Sequence, residues 1–206
     1  MNTVPMAARL LVFMTRLITG VRARWVDAAP TTAQRVYYAN HSSHLDTLVI
    51  WASLPADVRA RTRPVAAADY WDRPGWRRWL AAEVLNALLV ERVGGRGGRA
   101  ALHRIDQALA AGDSLIIFPE GTRGDGTTID DLKPGLYFIA HQWPRVELVP
   151  VYLQDLNRIL PKGEVLPVPL LGNATFGPPL SLTPGEDRHA FLQRARTALM
   201  ALGEHR

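Results

Sequence analysis

The sequence predicts a single α/β domain with a mainly parallel central sheet flanked by helices. Two patterns carry this reading. Short apolar runs at 35–39, 63–67, 85–91, 114–118 and 146–153 read as strands. Helical periods fall between them at 44–54, 75–84, 99–111 and 133–142, with a last one near 185–202. Strands that alternate with helices pair in parallel, because each helix returns the chain to the same side of the sheet. A length of 206 residues suits one such domain.

The elements follow in order. Residues 6–22 carry Leu10, Phe13, Met14, Leu17 and Val21 around most of a helix, with Arg9 and Arg16 seven apart on one face. Such a helix is about 25 Å long, shorter than the roughly 30 Å hydrocarbon core, and it holds two internal charges. It reads as an N-terminal amphipathic helix at a membrane interface, with Arg16, Arg22, Arg24 and Trp25 at the headgroups. The other reading is an ordinary helix packed on the core. Residues 1–30 are thus expected to form a membrane-associating segment and 31–206 the α/β domain. Tyr70, Trp71, Trp76 and Trp79, interleaved with Arg73, Arg77 and Arg78, fit a bilayer interface or a core helix with a solvated face. Pro161–Pro179 is proline-rich, with short β-like pieces and no helical period.

Composition narrows the function. A chain 48% hydrophobic and 21% charged has material for a full core and is neither disordered nor a bundle of membrane spans. Without cysteine there are no disulfides, thiolate metal sites or cysteine nucleophiles. The net charge is +5, and Lys133 and Lys162 are the only lysines. Arginine pairs its planar fork with phosphate oxygens and suits anionic surfaces. Charge alone admits nucleic acid, but no zinc finger, RNP-type strand or basic recognition helix accompanies it, so none is expected as a partner.

Three segments can carry chemistry. Asn40-His-Ser-Ser-His-Leu-Asp46 follows a strand and opens a helix, where open α/β sheets place their sites. His41 and Asp46 are close enough across that turn for the carboxylate to accept one imidazole N–H, which makes the other nitrogen a general base. Alternatively the histidines cap the helix and Asp46 pairs with its dipole. His41, His44 and Asp46 do not have the spacing of a metallo-hydrolase site, and no metal is expected.

Phe118-Pro-Glu-Gly-Thr-Arg-Gly124 follows a second buried strand. Its glycines allow close backbone approach, Glu120 can grip a glycerol hydroxyl, and Arg123 a phosphate. Alone, the segment could equally be a salt-bridged turn. In Leu88–Gly98, Gly95-x-Gly97-x-x-Ala100 formally matches a dinucleotide fingerprint, with Glu120 further on in the acidic place. A phosphate site made by Arg92 and loop amides uses the same residues and leaves fewer idle. There is no Gly-Lys-Ser/Thr phosphate loop and no Gly-x-Ser-x-Gly elbow.

With these segments in order, the chain resembles the glycerolipid acyltransferases of the 1-acylglycerol-3-phosphate O-acyltransferase type. Asn40, His41, Ser43 and Asp46 meet the family's Asn-His-x-Ser-x-x-Asp motif, and residues 118–123 meet Phe-Pro-Glu-Gly-Thr-Arg in full. Arg92 loosely meets the second motif, Val149-Pro150-Val151 meets the fourth, and Lys133-Pro134-Gly135 lies between as in the family. The resemblance implies that His41, oriented by Asp46, deprotonates a glycerol hydroxyl that attacks an acyl thioester. It implies acyl-CoA or acyl-carrier protein as donor, a lysophospholipid as acceptor, and no cofactor. Ser43, Arg92, Glu120, Gly121, Thr122 and Arg123 would bind substrate, and lysophosphatidate is the expected acceptor. It further implies a peripheral or monotopic protein on the cytoplasmic face of the inner membrane. Another acceptor, such as a lyso-ornithine lipid, or a non-catalytic lipid-binding protein at the membrane surface, stays open at this level.

Overall fold

The computed structural model describes residues 4–71, 75–91, 94–126, 128–156 and 172–204. The strands are β1 (Arg22–Trp25), β2 (Arg35–Ala39), β3 (Thr62–Ala67), β4 (Leu88–Val90), β5 (Ser114–Ile117), β6 (Glu147–Gln154) and β7 (Asn173–Phe176). They form one sheet in the order β1-β7-β6-β2-β5-β3-β4. All pairings between these strands are parallel except β6 with β7. The mainly parallel α/β architecture read from the sequence is what the chain adopts.

The helices are α1 (Val4–Thr19), α2 (Asp46–Ser53), α3 (Ala56–Arg59), α4 (Ala68–Trp71), α5 (Trp76–Trp79), α6 (Gly94–Ala110), α7 (Gly135–Gln142) and α8 (Arg188–Glu204). Residues Leu80–Val84 continue α5 as a π-helical turn. Helices cover both faces of the sheet, so the central strands are buried on both sides. Along β2, Tyr37 and Ala39 pack in one apolar layer with Val12 of α1 and Val49 and Ile50 of α2. Val36 and Tyr38 pack in the other with Ile105 of α6, Ile139 of α7 and Phe191 of α8. That alternation follows from the two-residue period of a strand. Truncating a fully buried member such as Ile116 costs about 2–5 kcal/mol.

The N-terminal segment departs from the sequence expectation in part. α1 forms, but its residues divide their tasks. Val12, Thr15 and Thr19 are buried against the domain, while Met6, Leu10, Phe13 and Leu17 are at least 60% exposed. Arg16 is not free for a headgroup: Nε and Nη2 both donate to the carbonyl of Ala52, at 3.2 and 2.7 Å. That carbonyl lies at the C-terminal end of α2, where a cation also meets the negative end of the helix dipole. Arg22, Arg24 and Trp25 belong to β1, which lies parallel to β7, and Trp25 stacks on Phe176 with ring centroids 4.1 Å apart. Four basic-rich residues on a sheet edge carry no apolar period, which is why β1 did not read as a strand. No described helix is long and apolar enough to cross a membrane.

Candidate active site

β2 and β5 are parallel neighbours in the middle of the sheet, so their C-terminal ends open at one edge. The chain leaves β2 through Asn40 and His41, and leaves β5 through Phe118–Gly124. Asn40 is buried and fastens the first exit to β6: its Nδ2 donates to the Leu153 carbonyl at 2.9 Å, and its Oδ1 accepts the Leu153 N–H at 2.8 Å.

Asp46, the first residue of α2, is wholly buried. Its Oδ2 accepts the N–H groups of Ser42 at 2.7 Å and Ser43 at 2.9 Å, and lies 2.8 Å from His41 Nδ1. An ionised carboxylate only accepts, so the imidazole proton sits on Nδ1 and Nε2 keeps its lone pair. Two backbone amides hold Oδ2 in place against the ring. The Phe118 ring stacks on the His41 ring at 4.1 Å. The peptide of His41 is held too: its N–H donates to Glu120 Oε1 at 2.8 Å, and its carbonyl accepts from Gly124 N–H at 2.8 Å.

His41 lies on the wall of a cleft of about 760 Å³. That is the size of a site for a small molecule or one acyl chain with its head. One side is apolar, with Val65, Val90, Leu102, Ile105, Leu136 and Ile139. Arg99, Leu102 and Ile105 come from one face of α6, spaced by the i, i+3 rule. Near His41 the wall is polar, with His44, Gly121, Arg123 and Lys133. Gly121 has φ +77°, a left-handed conformation that favours glycine, and a Cβ there would meet the Lys133 side chain at 3.6 Å. Burial holds the pKa of His44 below its ordinary value, and the positive charge of Arg123 pushes the same way.

His41, backed by Asp46, thus lines a cleft whose wall also carries Arg99, Arg123 and Lys133, the carboxylates of Asp69 and Glu91, and an apolar side. The sequence model of the acyltransferase family matches residues 21–154. The chain belongs to the acyltransferase family. The family match covers β1–β6 and both exits just described.

Relatives agree with this placement. The 1-acyl-sn-glycerol-3-phosphate acyltransferase of Chlamydomonas reinhardtii is 28% identical over 130 residues, 63% of this chain and 36% of that protein. The 1-acyl-sn-glycerol-3-phosphate acyltransferase alpha of Mus musculus is 27% identical over 161 residues, 76% of this chain and 53% of its own. The lyso-ornithine lipid O-acyltransferase of Rhizobium meliloti (strain 1021) is 32% identical over 124 residues, 60% of this chain and 40% of its own. The chain therefore spans between about a third and a half of the length of these relatives. The crystal structure of the 1-acyl-sn-glycerophosphate (LPA) acyltransferase PlsC from Thermotoga maritima shares the fold. Its TM-score is 0.76 at 18% identity, over 98% of this chain and 80% of that one.

The cleft of this acyltransferase-family chain gathers some of the residues that the sequence singled out and leaves others behind its wall. His41, Gly121 and Arg123 line the cleft. Asp46 is buried behind His41. Ser43 is buried, with its N–H on Asp46 and its Oγ accepting the Leu45 N–H at 3.3 Å. Glu120 is 3% exposed and Thr122 is exposed; neither is on the cleft wall. Arg92 lies outside the described residues. Gly95, Gly97 and Ala100 lie inside α6, which begins at Gly94, so they are not the strand-to-helix turn that a dinucleotide fingerprint needs. Arg99 and His44 were missed as wall residues. The period Arg99, Leu102, Ile105 was the available signal for the first, and the position of His44 three residues after His41 for the second.

Proposed function

We propose that the chain moves a fatty acyl group from an acyl thioester to the free hydroxyl of a lysophospholipid, with 1-acylglycerol 3-phosphate as the acceptor. The observation that carries this is the His41–Asp46 pair, 2.8 Å apart, on a cleft with an apolar wall and with Arg123 and Lys133 among its lining residues. His41 Nε2 takes the acceptor's hydroxyl proton as the oxygen attacks the thioester carbonyl. The imidazolium that forms is stabilised by Asp46. The carbon–sulfur bond then breaks, and the thiolate leaves with the proton from His41, giving an ester and a free thiol. Ser43 is buried and the chain has no cysteine, which favours direct transfer between two bound substrates. Holding both in line supplies much of the rate.

Arg123 and Lys133 are the proposed partners of the acceptor phosphate, with Arg92 joining them on the strength of its motif. Gly121 lets the glycerol approach the backbone. The acyl chain lies along the wall formed by Val90, Leu102, Ile105 and Ile139. The donor is proposed to be acyl-CoA or acyl-carrier protein. Both substrates carry acyl chains, so the exposed Met6, Leu10, Phe13 and Leu17 of α1 are assigned to peripheral contact with the cytoplasmic face of a membrane. The likeness to the Rhizobium meliloti enzyme favours one second reading, a lyso-ornithine acceptor.

Purified protein is incubated with each donor and with lysophosphatidate, lyso-ornithine lipid or monoacylglycerol, and products are read by mass spectrometry. Phosphatidate as the main product is the expected result. Preference for lyso-ornithine lipid would select the second reading, and no acylated lipid from any pair would contradict both.

A further inference from the structure

We propose that Glu120 is a positioning residue for His41: through the His41 peptide it sets where the base sits in the cleft. The inference rests on the reading of His41 as the base. Glu120 is 3% exposed and absent from the cleft wall, although its neighbours Pro119 and Gly121 line it. One carboxylate oxygen accepts the His41 N–H at 2.8 Å, and the other accepts the Asp130 N–H at 3.0 Å. Only a carboxylate offers two acceptors and no donor at that separation. Four residues on, the Gly124 N–H takes the His41 carbonyl at 2.8 Å. The segment after β5 therefore grips the His41 peptide at both of its polar groups and lays the Phe118 ring against the imidazole.

This task differs from that of Asp46. Asp46 holds Nδ1 and so fixes the tautomer and the rotation of the ring. It leaves open how far the ring stands from a hydroxyl in the cleft. That distance is set by the Cα of His41, and the Cα is set by the peptide. A base displaced by about 1 Å loses on the order of 100-fold in rate. In Glu120→Gln one acceptor becomes an NH₂ group facing a backbone N–H, so one of the two bonds is lost. Burial raises the pKa of Glu120, so removing its charge offsets part of that loss in stability and the variant is expected to fold.

The test uses the full chain as Glu120→Gln and Glu120→Asp, read in two ways. In steady-state kinetics, Glu120→Gln is expected to lower kcat about 100-fold with the acceptor KM within about 3-fold, and Glu120→Asp to fall between. A raised KM with kcat retained would instead make Glu120 an acceptor ligand and overturn the proposal. In ligand-free protein labelled with ¹⁵N-histidine, the His41 Nδ1–H proton is located by its absence in His41→Gln. It is expected to shift or broaden in Glu120→Gln, and an unchanged resonance would overturn the proposal. Unfolding of both variants would also overturn it, since the clamp fixes one loop and not the core. The resonance is read without substrate, so failure of the acyl-transfer reading leaves this outcome separately visible.

Discussion

The two exits at the sheet edge make opposite use of their polar groups. After β2, Asn40 is tied to β6, the His41 peptide to the segment after β5, and Asp46 to His41, Ser42 and Ser43. After β5, Glu120 is equally committed, but Gly121, Thr122 and Arg123 turn outward, with Gly121 and Thr122 exposed. Proton transfer needs a base held to a few tenths of an ångström, which only an over-determined loop provides. Gripping a phosphate needs charge and reach, which a looser segment supplies. The difference teaches that the first exit is held rigidly, as the proposed base requires, and that the second, past Glu120, is left free for the proposed binding role.

The largest expected effect comes from breaking the first exit. In Asp46→Asn the amide oxygen can keep the three contacts made by Oδ2, but the charge that stabilises the imidazolium is lost and a buried NH₂ takes the place of Oδ1, which should lower kcat by about 10²–10⁴-fold with acceptor KM little changed. Breaking the second exit should do the reverse. Arg123→Ala is expected to raise the KM for lysophosphatidate by about 10–100-fold with kcat nearly kept, and to leave a phosphate-free acceptor unaffected. Acceptor titrations of both variants, side by side, test the contrast.

His44 belongs to the first exit and feels the charge of Arg123 on the second, and its dependence on pH sharpens the comparison. Burial and then Arg123 hold its folded pKa below 6.5. Between that folded value and 6.5 the unfolded chain binds more protons, so stability rises with pH through this window and is lost as pH falls through it. His44→Gln should flatten that slope in thermal melts between pH 5 and 7, and Arg123→Ala should flatten it in part.

The smallest effect belongs to a pair remote from both exits. Arg194 on α8 donates to both carboxylate oxygens of Glu186, at 2.8 and 2.6 Å, and holds the Glu186 pKa down to about 2. Arg194→Ala should cost about 0.5–1 kcal/mol at neutral pH. The loss should shrink as pH falls from the ordinary glutamate value near 4.5 toward 2. Denaturant unfolding measures it, and kcat and KM should not move.

Much of this was legible in the sequence where a period or a spacing carried it. β2, β3, β5 and β6 came from apolar runs, and the His41–Asp46 contact from five-residue spacing across a loop-to-helix turn. The edge strand β1 was not legible, and its neighbour β7 showed only as a short β-like piece of the proline-rich stretch, because Arg-Ala-Arg-Trp and Asn-Ala-Thr-Phe are short and are stabilised by partners distant in the chain. The position of Arg16 on the Ala52 carbonyl was hidden for the same reason. Nor does sequence tell a carboxylate that faces a ligand from one that faces backbone amides; for Glu120 that depends on His41 and Asp130 meeting it from two different loops.

The most direct test of acyl transfer by His41 is thiol release from acyl-CoA by purified protein, with and without lysophosphatidate, for wild type and His41→Ala. The account predicts release only when both the acceptor and His41 are present, with the thiol matched mole for mole by phosphatidate. Release that continues undiminished in His41→Ala would contradict it.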